Sequence, residues 1–138
     1  MTETLSARQA SLELVEDHRR LHGLVGRLAA AADAPALATA LLELHAALTR
    51  HFGEEEKPGG LYDALGVCVP QFRARLAVLV DDHFRLAGMI RDLAERARAT
   101  QPQALGGLRA DVSHLAAALE EHERREHELV QAAVGRVA

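Results

Sequence analysis

Leu48-Thr49-Arg50-His51-Phe52-Gly53-Glu54-Glu55 and Leu119-Glu120-Glu121-His122-Glu123-Arg124-Arg125-Glu126 decide how this chain is read. Both spell Leu-x-x-His-x-x-x-Glu. At about 100° per residue these positions share one side of an α-helix. Each stretch closes a longer stripe, Leu37, Leu41, Leu44, Leu48, His51, Glu55 in one case and Leu108, Val112, Leu115, Leu119, His122, Glu126, Val130 in the other. A helix that buries its leucines therefore also buries a histidine and, one turn later, a glutamate. Such groups are costly in a core unless they are paired or bind metal.

Two further stripes carry the same interruption. They read Ser11, Leu14, His18, Leu21, His22, Val25 and Leu76, Leu79, His83, Leu86, Ala87, Ile90. Breakers separate the four. The first segment covers residues 6–32 and ends at Asp33-Ala34-Pro35. The second covers 36–56 and stops at Lys57-Pro58-Gly59-Gly60. Residues 61–69 read as a loop with room for one helical turn, and Pro70 opens the third helix, which runs to Ala99. The fourth begins no later than Gly106-Gly107 and ends near Val134. Short connections between four amphipathic helices predict an all-α, up-down-up-down antiparallel four-helix bundle in one domain over residues 1–138.

Composition agrees. The chain has 138 residues, enough for one core, and 27 Ala with 22 Leu favour helix. Aromatic residues make up only 3%, which argues against strand-rich folds and base-stacking modules. The net charge is -4 and no polybasic run occurs, so no nucleic-acid partner is expected. No apolar run approaches the roughly 20 residues of a membrane span. The start MTETLSARQ lacks the apolar stretch of a secretory signal, and the lone Cys68 forms no internal disulfide, so a cytoplasmic location is expected.

The halves repeat. Glu16-Asp17-His18-Arg19-Arg20-Leu21-His22-Gly23 lies over Asp81-Asp82-His83-Phe84-Arg85-Leu86-Ala87-Gly88, and the two Leu-x-x-His-x-x-x-Glu stretches lie over each other. Two helix pairs related by a pseudo-twofold axis would bring these residues to the bundle centre. The candidate ligands are then His18, His22, His51, Glu55, His83, His122 and Glu126. A histidine and a glutamate at i and i+4 lie about 6 Å apart along one face. This spacing suits a dinuclear site with Glu55 and Glu126 as bridges, His18, His22 and His51 on one ion, and His83 and His122 on the other. Imidazole-rich sites suit Fe, Zn, Cu or Ni. His45, His114 and His127 fall off the stripes and read as solvated or as partners behind the ligands. Asp17 and Asp82 read as surface charges, Tyr62 as a packed loop residue and Cys68 as an incidental small apolar one. Glu123 has no twin, since position 52 is Phe, and is left out of the ligand set.

In these four motifs, taken in order, the chain resembles the hemerythrin-like, or HHE cation-binding, family over nearly its whole length. The resemblance implies a non-haem centre of two Fe ions with an oxo or hydroxo bridge. It also implies that the small ligand is dioxygen, peroxide or nitric oxide. Oxygen-carrying hemerythrins have His-x-x-x-His on the third helix and His-x-x-x-x-Asp on the fourth. Here Ala87 follows His83 and Glu126 follows His122, and His18-x-x-x-His22 would restore the missing imidazole on the first helix. The first functional expectation is reversible dioxygen binding for oxygen binding, sensing or stress response. The others are a di-iron oxidase, peroxidase or nitric-oxide- or iron-handling protein, a structural metal staple, and a metal-free helical module.

Overall fold

The computed structural model describes residues 7–137. Ser6, the expected start of the first helix, lies outside the described residues with the rest of residues 1–6, and so does the side chain of Ser11. The described chain holds four long helices and a short one: α1 (Ala7–Ala30), α2 (Ala34–Glu56), α3 (Leu61–Cys68), α4 (Arg73–Ala99) and α5 (Leu105–Val137). No strand occurs among the described residues. None of the described helices is long and apolar enough to cross a membrane.

Most boundaries have a local cause. Asp33 caps α2, because its Oδ1 accepts from the Ala36 amide at 2.9 Å, so Pro35 falls inside the first turn and the helix starts at Ala34, two residues before the expected point. Residues 61–69 are not the loop expected from sequence. Leu61–Cys68 form α3, which buries Leu61, Tyr62, Ala64 and Leu65. Pro70 opens a separate 3₁₀ turn, Pro70–Phe72, and α4 begins only at Arg73. α5 starts before its glycine pair, and it continues to Val137, past the expected end at Val134.

The long helices close a ring of contacts, α1 on α2, α2 on α4, α4 on α5 and α5 on α1. Their buried positions alternate steps of three and four, as in Leu76, Leu79, His83, Leu86, Ile90, Leu93 and Ala97 of α4. The buried apolar residues form two clusters. One includes Leu21, Leu28, Leu41, Leu48, Phe52, Leu86, Leu115 and Leu119. The other includes Leu14, Leu61, Tyr62, Leu65, Phe72, Leu76, Leu79, Leu129 and Val130. Along α1, α4 and α5 the change of cluster falls at His18, at His83, and at His122 with Glu126.

Leu115 is fully enclosed at 0% exposure, whereas Leu42 is 52% exposed. We expect Leu115→Ala to cost roughly 2–5 kcal/mol and Leu42→Ala no more than about 0.5 kcal/mol. Urea unfolding of the two variants against wild type checks both.

Candidate metal centre

Among the described residues, five buried polar ones lie between the two apolar clusters: Glu55, Asp82, His83, His122 and Glu126. His51 and His18 join them from α2 and α1, with side chains 9% and 13% exposed. Each of the four long helices thus sends a histidine to this level, and α2 and α5 each add a glutamate.

The carboxylates sit between the imidazoles. Glu55 places Oε2 3.3 Å from His51 Nε2 and Oε1 3.4 Å from His83 Nε2. Glu126 places Oε1 3.2 Å from His18 Nε2 and Oε2 3.6 Å from His122 Nε2. Two groups of potential ligand atoms result, each within 4.8 Å: Glu55, His83, His122 and Glu126 in one, His18, His51 and Glu126 in the other. Both oxygens of Glu55 and Nε2 of His122 are buried without a hydrogen-bond partner. Buried polar atoms are seldom left so, and a cation among them supplies what they lack. The donor set of imidazole nitrogens and carboxylate oxygens fits a transition metal.

Electrostatics carries the same strain. Burial and the neighbouring Glu126 carboxylate push Glu55 well above the usual glutamate range. Burial alone would raise Glu126 too, but the neighbouring His122 and His18 imidazoles and the Glu55 carboxyl outweigh it and hold Glu126 well below that range. Burial lowers His51 and His83. It acts likewise on His122, where the carboxylates of Glu126 and Asp82 reverse the sign and raise it.

His22 is not brought to this centre. Its side chain is 62% exposed and its Nε2 lies 3.1 Å from Glu123 Oε2. The cause is helical phase: the inward positions of α1 run Leu14, His18, Leu21, Leu28, so His22, one residue past Leu21, turns to the flank. Of the off-stripe histidines, His114 is exposed at 81%, while His45 and His127 are half-buried. Cys68 is exposed rather than packed.

Five residues do more than their sequence positions suggested. Tyr62 is carried by α3, not a loop, and its hydroxyl donates to Glu126 Oε2 at 2.5 Å and lies 2.9 Å from His83 Nε2. Burial and the Glu126 and Glu55 carboxylates push the phenol far up, so it stays a neutral donor in the metal-free protein. The turn before it is tight: a Cβ on Gly60 would meet the Glu54 carbonyl oxygen at 2.5 Å, and Gly59 has a positive φ of 78°. Phe52 stacks on the His83 ring at 3.8 Å and 4°. Asp82 is buried, not a surface charge, and Asp17 is half-buried, because a residue one step before a core histidine faces the adjacent helix. Their oxygens lie 3.3 Å from His122 Nδ1 and 3.1 Å from His51 Nδ1. Glu56 Oε2 likewise lies 2.6 Å from His83 Nδ1.

Two clefts lead here. One of about 580 Å³ between α1 and α2 is lined by Arg20, Arg27 and Arg50 and reaches Asp17 and His51. The other, about 440 Å³, reaches Tyr62 and Glu56 beside α3 and α4.

A family model described as the hemerythrin HHE cation binding domain matches residues 10–134. This chain belongs to that family. The buried His/Glu groups are thus those of a hemerythrin-like domain, and they fit a metal site. No curated protein and no solved structure matches the chain significantly.

The raised Glu55 gives a signed pH dependence in the metal-free protein. Its folded form holds a proton that the unfolded chain has released. The resulting stability is full below the unfolded pKa and is lost as pH rises through the folded one. Glutamine cannot ionise, so metal-free Glu55→Gln should be more stable than wild type at pH 8. The two should converge near pH 4, below the ordinary glutamate value. Urea unfolding at both pH values checks this.

Proposed function

We propose that this hemerythrin-like chain is a non-haem di-iron protein that binds dioxygen, or a related small ligand, reversibly. The observation that carries the proposal is the straddling of the two carboxylates. Glu55 turns one oxygen to His51 and the other to His83, and Glu126 turns one to His18 and the other to His122. Such a pair suits two cations held side by side. His18 and His51 would hold one, His83 and His122 the other, with Glu55 and Glu126 shared. The sequence reading also gave His22 to the first ion; its exposure argues for the smaller set. Two iron ions joined by an oxo or hydroxo bridge would supply the electrons and the open position that dioxygen needs.

The protein's own groups would hold and protect this centre. Leu48, Leu79, Leu86 and Leu119, each at most 4% exposed, lie within a turn of the histidines and exclude water. The Tyr62 hydroxyl fixes the Glu126 carboxylate.

The proposal includes one domain over residues 1–138, an antiparallel course and the pseudo-twofold repeat. Cross-helix pairs support the course. Asp17 meets His51 and Arg27 meets Glu43, so position numbers fall along α2 as they rise along α1. Asp82 with His122 and Arg96 with Asp111 behave likewise between α4 and α5. A second reading, a di-iron oxidase, peroxidase or nitric-oxide-handling enzyme, is favoured by Tyr62, a proton donor placed against the ligand atoms.

Elemental analysis of the iron-loaded protein should find about two iron ions per chain. His51→Ala should abolish tight iron binding, and His114→Ala, on the exposed surface, should leave it intact. Zinc alone in the purified protein, with no uptake of iron, counts against the proposal. The choice of ligand is tested separately. Reduced, iron-loaded protein exposed to air should change its visible spectrum in a way that reverses when dioxygen is removed. A change that decays with turnover favours the oxidase reading.

A further inference from the structure

The repeat that relates α1 to α4 contains a four-residue unit, Asp17-His18-Arg19-Arg20 and Asp82-His83-Phe84-Arg85. Its members point three ways. The histidine turns inward. The arginine lies along its own helix against the aspartate: Arg20 is 3.6 Å from Asp17 Oδ1, and Arg85 donates to Asp82 Oδ1 at 3.0 Å. The aspartate turns sideways to the next helix of the chain, Asp17 to His51 Nδ1 on α2 and Asp82 to His122 Nδ1 on α5.

An imidazole that offers Nε2 to a metal must carry its proton on Nδ1, and a carboxylate at Nδ1 fixes both tautomer and ring orientation. We propose that Asp17 and Asp82 are positioning residues, each bracing the metal-facing histidine of the adjacent helix, and that they tune the two metal positions separately. This rests on the two-ion reading above. His51 belongs with His18 and Glu126, and His122 with Glu55, His83 and Glu126, so the two braces act on different groups. Within each repeat unit, then, the histidine and the aspartate serve different imidazole positions along the ring of helices. Each brace joins two helices through one imidazole. The two are unequal in setting: Asp82 is 10% exposed at its side chain and also lies 3.8 Å from Arg125, whereas Asp17 is 37% exposed and lines the arginine-bearing cleft.

The test uses the full chain, freed of metal and titrated with Co(II) at about pH 8, above the ordinary imidazole value. Wild type should bind in two steps. Asp17→Ala should weaken one step by about 10- to 100-fold and Asp82→Ala the other, since loss of such a partner has that effect. Asp→Asn at either position keeps an oxygen acceptor and should restore part of the loss. ¹⁵N spectra of the metal-free protein give an independent readout: His51 and His122 should be Nδ1–H tautomers in wild type. Each should shift towards Nε2–H in the matching alanine variant only. Unchanged affinities with unchanged tautomers, or equal losses in both steps from either variant, overturn the proposal. A wild type that takes one equivalent fails the two-ion reading instead. The braces are then judged by the tautomers, where a shift confined to the matching histidine upholds them and no shift overturns them.

Discussion

Two carboxylates face one another in the middle of this bundle, and the rest of the structure answers to them. Glu126 has no exposed surface and Glu55 is 4% exposed. Like charges at such depth cannot both ionise without a cation or a proton between them. The metal-free chain meets the demand by division, raising Glu55 and holding Glu126 ionised within hydrogen bonds. Four histidines from four helices, the Tyr62 hydroxyl and the stacked Phe52 ring then pack around the pair. Taking two charges from water is expensive, so this level of the molecule is shaped by ligand chemistry more than by stability.

Most of this centre was legible in the sequence. An inward stripe has a period, and a residue that keeps the period while breaking the apolar pattern declares itself. That logic selected His18, His51, Glu55, His83, His122 and Glu126, which the structure gathers. It misled at His22. A spacing of i and i+4 suffices for one turn, but the inward line of a bundled helix alternates three and four, and from His18 the next inward step is Leu21.

What the sequence did not disclose came from contacts between elements. Asp17 and Asp82 stand one residue off the stripe, which on an isolated helix means solvent; in a ring of helices the flank meets a neighbour. Tyr62 was hidden because glycines and a proline around residues 58–60 read as loop, whereas Gly60 only lets the chain turn close against the last carbonyls of α2 before helix resumes. The apolar spacing of Leu61, Leu65 and Val69, all buried, was the available signal. In the sequence Phe52 served only to leave Glu123 without a twin. Only the fold reveals that the ring it covers is His83.

The centre also divides the core. Apolar packing stops at the histidine level and resumes beyond it, with Leu21, Leu86 and Leu119 on one side and Leu14, Leu79 and Leu129 on the other. Cooperativity of unfolding depends on how well one packed region is coupled to the next. Here the coupling passes through side chains that prefer water or a cation to each other. Without metal, each half is a natural unit for opening apart from the other. A cation joined to residues of α1, α2, α4 and α5 would merge the halves into one cooperative block. Slow amide exchange would then spread across the divide, and metal content would set the size of the folding unit as well as the chemistry at its centre.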